Sequence, residues 1–143
     1  MVIGHQKQCD FLISNLKSGR LGHSYLFSGQ DELGKKRFAL DFAKIICCQN
    51  KTDGDDCQNC RLIGQEKHPD VLMVKTKEDK SEIDISQIRE VQRFLSLKPY
   101  YGTFKIVIID GAEKMNNEAQ SCFLKTLEEP KGNTLLILIC SKV

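Results

Sequence analysis

The stretch FKIVIID, residues 104–110, decides the fold class. Ile106, Val107, Ile108 and Ile109 follow one another without the polar alternation of a strand that has one face in water. A strand that is apolar on both faces is typical of a parallel sheet with helices packed on both sides. The stretch therefore predicts the central strand of an α/β protein.

Further strands are predicted around this central strand. Short apolar runs lie at HSYLFSG, DVLMVK and NTLLILIC, residues 23–29, 70–75 and 133–140. Helical stretches alternate with these runs along the chain, so we expect a mainly parallel sheet flanked by helices. Ligands of such sheets gather at the carboxyl ends of the strands.

The helices are predicted from apolar residues that recur at helical spacing. They are expected at 8–19, from Lys35 to about Cys48, at 86–99 and at 117–130. Asn117 and Gln120 have the spacing of a capping box at the start of the last helix. The side chains predicted to face the core are Phe38, Phe42, Ile45, Ile46, Ile88, Val91, Leu95, Ala119, Phe123 and Leu127.

Composition limits the classes of protein that the chain can be. Its 143 residues, 41% of them hydrophobic, are enough for one core, and a net charge of +2 is too small to indicate a nucleic-acid or membrane protein. No run reaches the roughly 18 apolar residues of a membrane span, and the start lacks a secretion signal. We expect a cytoplasmic chain without a membrane partner, truncated because Val143 comes just after a core strand.

Residues 28–37, SGQDELGKKR, have the outline of a phosphate-binding loop between a strand and a helix. Gly29 and Gly34 would let backbone N–H groups face the phosphates, and Lys35 would reach the outer phosphates. Position 36 needs a Ser or Thr hydroxyl to hold Mg²⁺, and it carries a second lysine instead. Because the long Lys36 side chain can turn away, the missing hydroxyl is the firmer argument for a degenerate nucleotide site.

The carboxyl end of the central strand carries the second part of this predicted site. Asp110 fits the acidic residue that holds Mg²⁺ in an NTPase, with a turn cap as its alternative role. The next position, where motor-type ATPases have a Glu that polarises the attacking water, is Gly111. Glu113 lies further along and is not expected to replace it. These two alterations together predict weak or absent ATP or ADP binding and no hydrolysis.

Several stretches resemble the clamp-loader subunits of bacterial DNA polymerase III, a branch of the AAA+ ATPases. They include HPDV, IIDGAEKMN and FLKTLEEPKGNT, and the resemblance extends over essentially the whole chain. Lys36 and Gly111 depart from the working gamma and tau subunits and agree with the delta-prime type. The resemblance implies an AAA+ P-loop NTPase-like domain over residues 1–143, with a small inserted cysteine module at about 47–67.

The resemblance also implies a function. A delta-prime type subunit is a stator-like, non-catalytic member of the complex that loads the sliding clamp on primed DNA during replication, beside gamma or tau and delta subunits. The arginine by which this type completes the ATP site of its neighbour belongs to a Ser-Arg-Cys motif that is absent from this sequence. No residue of the chain can therefore be assigned that role.

Cysteines form a separate candidate site. The family carries a zinc module after the P-loop helix, and by its spacing Cys48, Cys57 and Cys60 match three of the four ligands. Cys47 or an acidic neighbour is the candidate for the fourth. The alternative is a metal-free loop whose thiols pack against the core.

Two other functions stay open on the sequence alone. Gly29, Gly34, Lys35 and Asp110 also suit an ATP-hydrolysing subunit of the gamma or tau type. The cysteines suit a zinc-dependent nucleic-acid-binding module as well. Turnover of ATP would identify the first, and DNA binding with a steep salt dependence would identify the second.

Overall fold

The computed structural model describes residues 24–28, 32–47, 58–100, 104–128 and 133–140. Strands and helices alternate along these segments as the sequence predicts, except that two helices follow the first strand. The strands are β1 (Ser24–Ser28), β2 (Val71–Val74), β3 (Lys105–Asp110) and β4 (Thr134–Cys140). The helices are α1 (Glu32–Cys47), α2 (Gln58–Gly64), α3 (Ile85–Ser96) and α4 (Asn117–Glu128), with a short 3-10 helix at Ala112–Lys114.

The described strands form one parallel sheet in the order β1-β4-β3-β2. Val107 in β3 lies opposite Leu136 of β4 on one side and Leu72 of β2 on the other. The strand predicted to be central thus has a hydrogen-bonded neighbour on each side. This arrangement confirms the predicted parallel α/β sheet.

Both faces of β3 are buried, because successive side chains of a strand point to opposite faces. Ile106 and Ile108 pack with side chains of α1, among them Phe38 and Phe42. Their neighbours Val107 and Ile109 pack on the other face against α3 and α4. The full apolar run therefore serves two cores, which is why it contains no polar alternation.

The described helices largely follow their predicted faces. Nine of the ten predicted core side chains are buried, and the other one, Leu127, is partly buried against the same core. Helix α1 begins at Glu32, earlier than the predicted Lys35, and the helix predicted at 8–19 lies outside the described residues. Within the described part of the chain, no helix is both long and apolar enough to cross a membrane.

The caps of α3 and α4 hold the helices that cover one face of the sheet. Asp84 and Gln87 form a capping box at the start of α3, which the sequence analysis did not predict. The predicted box at Asn117 and Gln120 is wrong by one residue. Asn116 is the residue that caps α4, because its Oδ1 accepts the Ala119 N–H at 2.9 Å.

Candidate nucleotide site

The described residues of the predicted nucleotide site lie at the carboxyl end of the sheet. Lys35 is in α1, the helix that follows β1, and Asp110 is the last residue of β3. Strand β4, which ends at Cys140, lies between β1 and β3 in the sheet. The fold therefore brings the two halves of the predicted site to the same end of the sheet, while Gly29 lies outside the described residues.

Lys35 is held at this end of the sheet. It lies in the first turn of α1 beside Gly34, and only 4% of it is exposed. Its Nζ donates a hydrogen bond to the Cys140 carbonyl oxygen at 2.8 Å. The ammonium group therefore lies next to the end of β4, where the helix N-terminus and the strand ends meet. A lysine in this place can bind a phosphate oxygen.

Lys36 points elsewhere. Its Nζ lies 3.7 Å from Glu66 Oε1, just beyond the end of α2. The lysine that replaces the Mg²⁺-binding hydroxyl therefore pairs with a carboxylate of another segment, as its length allows. The chain lacks the hydroxyl ligand, and the substituted ammonium group is not directed with Lys35 toward the strand ends.

The backbone at Gly111, the position where a working ATPase has its water-activating glutamate, has a conformation of its own. Its φ is 82°, in the left-handed region that favours glycine. Its N–H donates to the Ile139 carbonyl at 3.0 Å, which ties the turn after β3 to β4. A Cβ at this position would lie 3.2 Å from Lys114 Cδ. A glutamate here would need a strained backbone or a shift of the turn.

The acidic residues around Gly111 lie in different elements. Asp110 ends β3 and is partly exposed, so its carboxylate is in the place predicted for a Mg²⁺ ligand. Glu113 is partly buried in the 3-10 helix that follows. The structure thus brings Lys35 and Asp110 to one end of the sheet and leaves Lys36 outside that group.

A buried polar cluster at the opposite end of the sheet was not predicted. His68 Nδ1 accepts the Asp70 N–H at 3.0 Å, and its Nε2 lies 2.8 Å from Asn59 Oδ1. Because Nδ1 is an acceptor, Nε2 carries the proton and donates a hydrogen bond to Asn59 Oδ1. Burial lowers the pKa of His68, although the nearby Asp70 carboxylate opposes this. The sequence signal for this cluster is the triplet His68-Pro69-Asp70, which does not predict that Asn59 is the partner of His68.

The predicted zinc ligands are only partly within the described residues. Cys60 is buried in α2, and its thiol donates to the Lys44 carbonyl at 3.9 Å. Cys47 ends α1 and is partly buried, whereas Cys48 and Cys57 lie outside the described residues. No group of three or more metal-ligating side chains occurs among the described residues. Cysteine thiolates suit zinc chemically, and the zinc site stays a prediction.

Part of the cysteine module predicted at about 47–67 is the helix α2, which no sequence pattern predicted. Helix α2 packs on α1 and contributes the buried Ile63 to the core. Cys60 lies near Lys44 and Glu66 near Lys36, so the two helices run in opposite directions. Helix α2 is therefore packed directly against the helix that carries Lys35.

A parallel sheet in the order β1-β4-β3-β2, with Lys35 in the helix after β1 and Asp110 at the end of β3, defines a fold of the AAA+ P-loop type. The family model for the DNA polymerase III delta subunit matches residues 4–143. The chain belongs to this family.

Known proteins support the same assignment. The delta′ subunit of DNA polymerase III from Pseudomonas aeruginosa is 33% identical over 120 residues, which are 82% of this chain and 37% of that protein. The tau/gamma subunit from Haemophilus influenzae is 33% identical over 132 residues, 90% of this chain and 19% of that protein. A DNA polymerase III gamma-subunit-related protein from Thermotoga maritima has a TM-score of 0.69 at 25% identity, covering 94% of this chain and 39% of that one.

These comparisons confirm the predicted AAA+-like fold and the resemblance to DNA polymerase III subunits. The chain spans little more than a third of the Pseudomonas delta′ subunit. Its identity to the Pseudomonas delta′ subunit and to the Haemophilus tau/gamma subunit is equal, at 33%. The choice between a catalytic and a non-catalytic subunit therefore has to be argued from the site.

Proposed function

We propose that the chain acts as a non-catalytic, stator-like subunit of the DNA polymerase III clamp loader. The observation that carries the proposal is the left-handed conformation of Gly111, with φ of 82°. The position that should hold a water-activating carboxylate is built into a turn that favours glycine. The site therefore lacks the glutamate that would activate water, and the backbone at position 111 does not readily accept one.

The remaining residues support weak binding of nucleotide without turnover. Lys35 lies where it can contact a phosphate, and Asp110 lies where it can face a divalent cation. Position 36 offers no hydroxyl to that cation. A nucleotide would therefore be held mainly through Lys35 and the N-terminus of α1, with poor use of Mg²⁺.

The proposed partners follow from family membership. They are gamma or tau and delta subunits, with the sliding clamp and primed DNA as the other components of the complex. The relatives whose names place them in DNA polymerase III include a delta′ and a tau/gamma subunit. In this proposal the chain presents surfaces to a neighbouring subunit, and that neighbour hydrolyses ATP. The chain works in the cytoplasm, without a membrane partner.

Two measurements on the purified chain test this function. We expect no phosphate release from ATP in the presence of Mg²⁺, and ADP affinity that changes little when Mg²⁺ is removed. Lys35→Ala is the matched control, because any nucleotide signal that arises in this site should disappear with the Lys35 ammonium. Turnover that Lys35→Ala abolishes would contradict the proposal.

An ATP-hydrolysing subunit of the tau or gamma type is the second candidate. The identity of 33% to the Haemophilus tau/gamma subunit and the retained Lys35 and Asp110 favour it. The phosphate-release assay separates the two candidates directly, since a tau or gamma type subunit should hydrolyse ATP with Mg²⁺.

We propose further that Cys48, Cys57 and Cys60 bind zinc, with Cys47 as the fourth ligand. The proximity of Cys60 to α1 supports the proposal, because a metal here would fix the segment against that helix. When bound, zinc would supply structural cross-linking of this segment. Metal analysis of the purified chain should give about one zinc per chain. Retention of a full equivalent by the Cys60→Ser variant would contradict this ligand set.

A further inference from the structure

The ion pair between Lys36 and Glu66 joins the start of α1 to the segment after α2. Its side chains are 29% and 34% exposed, so the pair lies at the surface. In a phosphate-binding loop, the residue at position 36 faces the bound phosphates and Mg²⁺. Here the ammonium group is paired with a carboxylate of a different segment.

Glu66 adopts a backbone conformation that rarely suits a glutamate. Its φ is 57°, in the left-handed region. Its N–H donates to the Ile63 carbonyl and the Lys67 N–H donates to the Leu62 carbonyl, both at 2.9 Å. These two bonds form the Schellman motif that ends a helix, in which Glu66 occupies the position usually taken by glycine.

The two observations together indicate a role for the Glu66 side chain. A non-glycine residue in the left-handed region costs backbone energy, and such residues concentrate where the surroundings or a function require them. Glycine would make the same helix end without that cost, but it has no carboxylate to pair with Lys36. The side chain therefore gives a reason for a glutamate at this position.

We propose that Glu66 is a positioning residue that holds the Lys36 ammonium away from the phosphate-binding loop and so lowers the affinity of the loop for phosphate groups. The inference rests on the proposed nucleotide site, to which it adds a built-in restraint. It also links the end of the cysteine segment to the first turns of α1, where Lys35 is located.

The expected size of the effect follows from the exposure of the pair. Exposed ion pairs contribute at most about 1 kcal/mol, which corresponds to roughly a fivefold change in an equilibrium constant. Once the carboxylate is removed, Lys36 can turn toward a bound phosphate and make a charge-assisted hydrogen bond. The restraint is therefore small, but it has a defined direction.

The test measures ADP affinity of the 143-residue chain by calorimetry without Mg²⁺. Glu66→Gln should bind ADP about two- to fivefold more tightly than the unaltered chain. The same substitution made together with Lys36→Met should have no effect relative to Lys36→Met alone, since Glu66 acts through Lys36. A gain that persists in the Lys36→Met chain would be a general charge effect and would overturn the proposal.

Two further variants complete the experiment. Glu78→Gln removes an exposed carboxylate beyond β2, the strand at the other side of the sheet from β1, and should leave ADP affinity unchanged. Glu66→Gly should gain ADP affinity like Glu66→Gln, with a urea midpoint at least as high as that of the unaltered chain.

Some results separate this inference from the proposed function. Equal ADP affinity of the unaltered chain and Glu66→Gln, including no detectable binding by either, would overturn the restraint. ATP turnover by the unaltered chain would overturn the non-catalytic function, and it would leave the restraint standing if Glu66→Gln still bound ADP more tightly.

Discussion

The two ends of the sheet treat their polar side chains differently. At the amino ends of β2 and β3, Asp70 and Lys105 are at most 5% exposed. Asp70 accepts a backbone N–H, and Lys105 Nζ lies 4.0 Å from the centre of the Phe94 ring. At the carboxyl ends, Lys35 is buried as well, but Asp110 is partly exposed. The buried groups at the amino ends stabilise the fold, whereas the partly exposed Asp110 carboxylate is accessible to a ligand.

This difference explains how residues at the predicted nucleotide site can vary while the fold is kept. The altered positions, Lys36 and Gly111, lie outside the two apolar clusters that pack on the sheet. A lysine at position 36 therefore displaces no apolar side chain of these clusters. The amino end has no such freedom, because a change there leaves a buried polar group without its partner.

The largest effect is expected at the amino end, from Asp70→Ala. Asp70 is fully buried, and its Oδ1 accepts the Tyr100 N–H at 2.5 Å. Removing this fully buried acceptor should lower the free energy of unfolding by up to about 3 kcal/mol, because a hydrogen bond to a carboxylate is lost. Urea denaturation measures the change, and Asp70→Asn, which keeps one acceptor oxygen, should lose less. A loss smaller than about 1 kcal/mol would show that the buried polar groups at the amino end do not stabilise the fold more than those at the carboxyl end.

The second prediction concerns the pH dependence of stability at the same end. The pKa of His68 is lowered from its ordinary value of 6.5, chiefly by burial. The folded chain therefore binds fewer protons than the unfolded chain below pH 6.5. Stability should fall as the pH drops from 6.5 toward the lower folded pKa, by up to about 1.4 kcal/mol per pH unit.

Denaturation of the unaltered chain and of His68→Gln across this pH range measures the effect. The glutamine variant should lack the His68 contribution to the slope, while slopes from carboxylates at lower pH remain. Equal slopes in both proteins between pH 6.5 and 5.5 would show that His68 does not stay neutral in the fold.

The sequence predicts the amino end less well than the rest of the molecule. The parallel sheet and the buried helix faces are predictable because apolar periodicity carries them in residues such as Ile106 and Phe42. The bond between His68 and Asn59 joins segments that no local pattern relates. Likewise, Lys36 is visible as an altered residue in the sequence, but its pairing with Glu66 depends on how α2 packs against α1.

The third prediction compares two glycines. Gly111 has φ of 82°, and a Cβ there would lie 3.2 Å from Lys114 Cδ, so Gly111→Ala should cost roughly 1–2 kcal/mol of stability. Gly64→Ala is the control, since Gly64 is the last residue of helix α2 and its Cβ would have only the flexible Lys44 side chain within contact, at 3.4 Å. Alanine at Gly64 should be neutral or stabilising by up to about 1 kcal/mol. Urea denaturation compares the two, and equal effects would argue against a conformational requirement at Gly111.

The smallest effect on stability is expected from Lys36→Thr, which restores the hydroxyl of a working loop. Because Lys36 contributes one exposed ion pair, the free energy of unfolding should change by less than about 1 kcal/mol. ATP turnover should stay absent, since the hydroxyl alone does not supply the carboxylate missing at Gly111. Lys36→Met, which removes the ion pair without adding a hydroxyl, is the control for phosphate release. Turnover in Lys36→Thr but not in Lys36→Met would show that the turn at Gly111 does not prevent hydrolysis. The site would then need only the hydroxyl at position 36 to hydrolyse ATP.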